Sequence, residues 1–183
     1  QINKSTMVIK QRSGAIIRHH HNTSSSRALE VYKLQAQSGA LYEAELWGNS
    51  DCHQMVVAEN YFLKSLLKLP TSTPTIPLLW DLNIKCIGLI LKLRPLLYWV
   101  RVWTTPELEI YISCLHDCMR TDVNHKIPWL SHIKKWLMML GWESYWTSPL
   151  SMPKNSAMQI KRLFWESYVL QVCGDPTQRP LDF

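Results

Sequence analysis

Between Ile84 and Trp103 the chain carries Lys85, Lys92, Arg94 and Arg101, no acidic residue, and the rings of Tyr98, Trp99 and Trp103 set among the cations. Cations that neutralise phosphates and rings that stack on bases are the two components of a sequence-independent grip on nucleic acid. On a helix Arg94, Tyr98 and Arg101 fall along one line, while Lys85, Lys92 and Trp99 recur every seven residues on a neighbouring one. The competing reading makes Leu89, Leu93, Leu96, Leu97 and Val100 the buried face and the cations its solvated edge. Lys134 and Lys135 beside Trp136 form a second cluster, and Lys161 and Arg162 with Phe164 and Trp165 a third, both open to the same objection. The candidate nucleic-acid-binding residues are therefore Arg94, Tyr98 and Arg101, followed by Lys134 and Lys135.

Other constellations carry less. Cys114, Cys118, His125 and His132 have the donor types for zinc, but zinc fingers favour a longer central loop and a closer histidine pair. Cys114 and Cys118 lie four apart, which puts them on one face of a helix, and the simpler expectation is two small buried hydrophobes beside Leu115 and Met119. The His19-His20-His21 run has no Cys or carboxylate nearby and reads as a solvated loop. Polymerases and many nucleases hold divalent metals between clustered carboxylates. Here Asp51, Asp81, Asp117, Asp122, Asp175 and Asp182 are isolated. Neither a phosphate-binding glycine loop, a nucleophile elbow nor a His-Glu-x-x-His helix occurs. The expectation is a protein without catalytic residues, metal or small-molecule cofactor.

Charge sharpens this picture. Of the 20 Lys and Arg residues, Lys4, Lys10, Arg12, Arg18 and Arg27 all precede the first acid, Glu30. The rest of the chain is nearly neutral, so a bulk-charge argument for nucleic acid rests on the N-terminal arm. Five cysteines, an odd number and none in a Cys-x-x-Cys pair, suit free thiols in a reducing compartment, which points to the nucleus or cytoplasm. The longest apolar run, Cys86 to Leu91, is far shorter than a membrane-spanning helix, so no membrane partner is expected.

The elements that must position these residues are helical. Residues 1–26 read as an irregular basic arm with a short strand at Met7, Val8 and Ile9. A first helix is predicted over 27–47, from Leu29, Tyr32, Ala36, Ala40 and Trp47, with a weak point at Ser38-Gly39. A second runs from Ser50 or Asp51 to Pro70 on the stripe of Met55, Phe62, Leu66 and Leu69. Residues 71–77 form a Thr/Pro linker. A short helix follows over 78–82, then the 84–103 segment, in which Pro95 predicts a kink or break near 91–94. Thr104 with Glu107 suggests a capping box opening a helix to about Thr121, and further helices are predicted over 128–140 and 155–172, the latter closed by Gly174. This is an all-α chain of about six to seven helices, divided into the arm at 1–26, a helical hairpin at 27–70 and a helical C-terminal region at 71–183.

Two strings in the first helix have a familiar order. Leu29-Glu30-Val31-Tyr32-Lys33, then Leu41-Tyr42-Glu43-Ala44-Glu45-Leu46-Trp47-Gly48, resembles the Tyr-Gly-Ala-Glu-x-Trp-Gly helix that follows the polymerase palm in reverse transcriptases of non-LTR (LINE-type) retrotransposons. The downstream order is similar: a helix ending Phe62-Leu63-Lys64-Ser65-Leu66-Leu67, a Thr/Pro linker, Gly88, and a basic segment closing on Tyr98-Trp99. Ile2-Asn3-Lys4-Ser5-Thr6-Met7-Val8 looks like a shortened copy of the palm strand beyond the catalytic aspartates.

The departures matter equally. Glu43 stands where the family has glycine, and the catalytic aspartates and the primer-gripping Tyr-Leu-Gly turn are absent. The resemblance implies a thumb and post-polymerase region without catalysis, a remnant whose retained activity would be weak, sequence-independent binding of RNA or DNA. The alternatives are a helical interaction module that presents exposed tryptophans to a protein partner, or a decayed fragment without function. No oligomeric state follows from the residues.

Overall fold

The computed structural model describes residues 1–19, 23–48, 51–122 and 127–173, with side chains omitted for Pro106 and from 167 onward. His20, His21, Ser50, His125, Gly174, Asp175 and Asp182, named above, lie outside the described residues. The chain divides into two compact units, residues 1–91 and 92–183.

The first unit opens with a correction. Ile2–His19 is a helix, α1, where an irregular arm with a strand at Met7 was expected. Its buried face is Ser5, Thr6, Ile9 and Ser13, spaced at helical intervals but mostly polar, so hydrophobic periodicity could not reveal it. Small side chains let α1 lie close against its neighbours, and Arg12 donates to the Gln35 carbonyl. Gly39 makes room for that arginine: a Cβ there would stand 2.6 Å from the guanidinium.

The second helix, α2, covers residues 25–40. Ser24 caps it, its hydroxyl accepting the Arg27 N–H at 3.3 Å. Ser25–Val31 is α-helical, Tyr32–Gln37 widens into a π-helix, and Ser38–Ala40 returns to α. The helix predicted over 27–47 is interrupted at 41–43, because Glu43 takes a left-handed conformation with φ 54°. A short helix α3, Ala44–Trp47, follows, and the Trp47 indole donates back to the Tyr42 carbonyl at 2.9 Å.

Asp51 accepts the His53 N–H at 2.9 Å and starts α4, His53–Leu66. That helix closes with Lys68 in the left-handed region and Leu69 N–H bonded to the Lys64 carbonyl, the closure of a Schellman turn. Helix α5, Thr75–Asp81, ends similarly through Asn83, also with positive φ. Helix α6, Ile87–Thr104, begins in the first unit and runs through Pro95 as one helix, so of the kink or break expected near 91–94 the break does not occur. A proline inside a helix costs about 3 kcal/mol and leaves the carbonyl four residues earlier without its donor. That carbonyl belongs to Leu91, and Gly48 lies against it: a Cβ on Gly48 would sit 2.2 Å from the Leu91 oxygen. Burial of Leu89, Leu91, Leu96, Trp99 and Val100, at about 1.5 to 3 kcal/mol for each large side chain, outweighs the proline.

In the second unit, Thr104 ends α6, its hydroxyl bonded to the Val100 carbonyl at 2.9 Å, and does not cap the next helix as the capping box suggested. A 3-10 turn, Pro106–Leu108, leads into α7, Glu109–Thr121. Helix α8, Pro128–Met139, closes through Gly141 at φ 72°, as its position predicts. A short α9, Ser144–Thr147, and the long α10, Ser156–Cys173, complete the unit. Its core gathers Leu130, Ile133 and Leu137 of α8, Phe164 of α10 and Trp99 of α6. The fold is all-α, and among the described residues there are ten helices and no strand.

Candidate nucleic-acid interface

Helix α6 sorts its cations and rings by depth. Arg101 and Lys92 are exposed, Arg94 and Tyr98 half-buried, and Trp99, Val100 and Trp103 buried. The line of Arg94, Tyr98 and Arg101 therefore lies along one flank of the helix. The neighbouring line of Lys85, Lys92 and Trp99 does not survive as a surface, because the Trp99 ring is inside, with no solvent exposure. It stacks near-parallel on Trp146 at 6.3 Å and meets Trp103 edge-on at 6.2 Å.

Tyr98 packs edge-to-face on Trp129, in the first turn of α8, with centroids 6.3 Å apart and planes at 70°. Lys134 and Lys135 follow on the same helix. Adjacent helical residues point about 100° apart, and the two lysines diverge accordingly. Lys134 is half-buried with its ammonium 5.8 Å from the Trp146 ring centre, whereas Lys135 is exposed. All five candidate residues thus belong to the 92–183 unit, on two helices held together by the Tyr98 and Trp129 rings. The third cluster resolves into core and edge: Phe164 is buried against Trp136 at 4.3 Å, and Arg162 pairs with Glu166 at 3.9 Å.

One expectation fails. Cys114 and Cys118 share a face of α7 but both are exposed, because that helix carries Leu115 and Met119, not the cysteines, on its inner side. Among the described residues no three His, Cys, Asp or Glu side chains converge as metal ligands. Of the nine tryptophans Trp99 and Trp103 are buried and the other seven half-buried, with most of the rings drawn into aromatic pairs. The exposed large apolar side chains are Leu34, Tyr42, Ile110, Leu150 and Met158 among others.

The most strongly perturbed group lies in the first unit and was missed by sequence reasoning. Glu59 of α4 has no solvent exposure. One carboxylate oxygen accepts from the Tyr32 hydroxyl at 3.0 Å and the Gln37 amide at 3.4 Å, and the other from the Ile87 N–H at 2.7 Å. The π-helix explains how both α2 side chains reach one oxygen. Residues five apart diverge by about 140° on an α-helix, but i to i+5 bonding brings them round to one side. Burial pushes the Glu59 carboxyl up to about 7, only partly offset by the bonds from Ile87, Tyr32, Gln37 and the Cys86 thiol. Burial, reinforced by the Glu59 charge, also raises the Tyr32 hydroxyl above its ordinary range. The available signal was a carboxylate inside the apolar stripe, four residues after Met55 and three before Phe62.

No protein-family model matches the chain, and no curated protein or solved structure matches it. Among the described residues no helix is long and apolar enough to cross a membrane.

Proposed function

We propose that the chain is a non-catalytic remnant of a retrotransposon reverse transcriptase that binds single-stranded RNA or DNA weakly and without sequence preference. The α6 flank of Arg94, Tyr98 and Arg101 forms the contact, extended by Lys134 and Lys135. The observation that carries the reading is a half-buried tyrosine set between two cations along one helix and braced edge-to-face by Trp129. A braced ring stacks on a base with little further loss of freedom, and the cations on either side answer the phosphates that flank it. The order of residues from Leu29 to Trp103 supports the origin.

The test is equilibrium binding of a labelled single strand to the full chain across a salt series. Affinity should fall steeply with salt and differ little between unrelated sequences, with a log-log slope of about −0.7 per phosphate contact. Arg94→Ala with Arg101→Ala should flatten the slope by about that amount for each of the two cations removed. An unchanged slope and affinity in that variant would remove this flank from consideration, including the case where exposed Lys4, Lys10 and Arg18 of α1 supply all the binding.

A further inference from the structure

A groove of about 820 Å³ opens in the second unit between the end of α6, the face of α7 and the turn after α9. Its volume lies within the range of small-molecule sites, about 300 to 1,000 Å³. Two indoles, Trp103 and Trp146, line it, together with His116 and Arg120 from α7 and the hydroxyl-bearing Ser148 and Ser151. Among the described residues no acidic side chain lines it. Asp117, next to His116 on α7, pairs with Arg120 at 3.9 Å while both side chains stay more than two-thirds exposed. An exposed pair of that length contributes little and yields readily to a better anion.

The chemistry of the walls narrows what would fit. The Trp103 indole N–H is buried, with no acceptor among the described residues, so Trp103 meets the groove through its ring carbons. Trp146 also has the Lys134 ammonium 5.8 Å from its ring centre, which brings a second cation near the rim beside Arg120. Aromatic walls suit a planar ring, and a guanidinium suits a phosphate in two-pronged contact, in exchange for the exposed Asp117 carboxylate it meets at 3.9 Å. An aliphatic ligand would not use the rings, and a cation would face Arg120 and Lys134.

We infer that this groove is a nucleotide site, taking the base of a terminal nucleotide against the aromatic wall to which Trp146 and Trp103 contribute and its phosphate on Arg120 and His116. The inference rests on the nucleic-acid reading and assigns it a second contact: Lys134, already a candidate for the strand, stands beside the same Trp146 that walls the groove. A strand held along α6 and α8 would then end in a pocket, which gives preference for free ends over continuous or circular single strands.

The test titrates the full chain with adenosine monophosphate, adenosine and inorganic phosphate, following tryptophan fluorescence. Saturable quenching by the nucleotide, with adenosine and phosphate each weaker, is the expected result. Arg120→Ala removes an exposed side chain, should leave helicity unchanged, and should weaken nucleotide binding about tenfold, as one charge-assisted contact does. Absence of saturable nucleotide binding, or equal binding by the Arg120→Ala chain, overturns the site. A linear oligonucleotide separates this outcome from failure of the underlying reading. If Arg94→Ala with Arg101→Ala weakens oligonucleotide binding while Arg120→Ala leaves it unchanged, the flank stands and the groove fails. If the wild-type chain binds the nucleotide but no oligonucleotide, the groove stands and the strand reading falls.

Discussion

The Glu59 carboxylate accepts the backbone N–H of Ile87 at 2.7 Å, so a side chain of α4 caps the first turn of α6 from 28 residues away in sequence. The first N–H groups of a helix have no partner within it, and a carboxylate there also meets the positive end of the helix dipole. Among the described residues no lysine or arginine is bonded to it; besides the Ile87 N–H, the bonded groups are the Tyr32 hydroxyl, the Gln37 amide and the Cys86 thiol. A buried charge balanced only by neutral donors is costly, which is why the carboxyl holds its proton to near neutrality.

Stability should therefore fall as pH rises. The folded carboxyl titrates near 7 and the unfolded one near 4.5, so between these values the folded chain binds more protons than the unfolded chain. Stability is greatest below about pH 4.5 as far as this group is concerned, declines through the window to pH 7, and is level above it. The full change is on the order of 3 kcal/mol. Denaturant midpoints at pH 5, 6, 7 and 8 measure it, and Glu59→Gln should flatten that decline. A wild-type midpoint that rises across the window would contradict the assignment.

Glu43 and Gly48 should respond in opposite directions to exchange. Glu43 sits at φ 54°, a conformation that costs an L-residue roughly 1 kcal/mol and costs glycine nothing. Glu43→Gly should raise the thermal midpoint or leave it level, since glycine also loosens the unfolded chain. Gly48→Ala should lower it, by about 2 kcal/mol or more, because the new Cβ would overlap the Leu91 carbonyl and that oxygen is backbone. A tolerated Gly48→Ala would show that the chain opens at this contact at little cost.

Thiol labelling distinguishes the cysteine pair of α7 from two buried cysteines of the first unit. Cys114 and Cys118 on α7 are exposed, and Cys52 and Cys86 are buried. A chromogenic disulfide reagent under native conditions should modify the α7 pair rapidly and the other two only as fast as the first unit opens. The double change Cys114→Ser, Cys118→Ser should remove the rapid phase they supply. Persistence of its full amplitude would place fast-reacting thiols elsewhere.

What was legible in the residues follows from what local patterns encode. Helices α4 and α8 announce themselves through apolar stripes, and Gly141 marks a helix end that the chain obeys. Helix α1 hides because Ser5, Thr6 and Ser13 face inward, a choice that makes sense only once its neighbours are in place. Pro95 signals a break that packing overrides. The five candidate binding residues could be picked out as types, but their depth could not: periodicity put Trp99 beside Lys92 on a line, and only the fold turns its ring inward. Glu59 was hidden for the opposite reason, since its partners Tyr32, Gln37 and Ile87 come from two other helices and no spacing along α4 implies them.

The Tyr98 and Trp129 rings carry the last prediction. Their edge-to-face contact joins α6 to α8, and such a pair contributes about 0.5 to 1.5 kcal/mol beyond the area it buries. Tyr98→Ala should therefore lower stability, and Trp129→Ala should do so as well, with the double variant costing less than the sum of the two. If the Tyr98 ring also stacks on a base, Tyr98→Ala loses a further 1 to 3 kcal/mol, roughly, in single-strand affinity with little change in salt slope. Tyr98→Phe keeps the ring in both roles and should match the wild type in stability and affinity. Trp129→Phe keeps the brace and serves as the control for packing. Affinity measured on variants of equal helicity then separates the two roles: a Tyr98→Ala chain that is destabilised yet binds the strand as tightly as the wild type would leave Tyr98 a packing residue and nothing more.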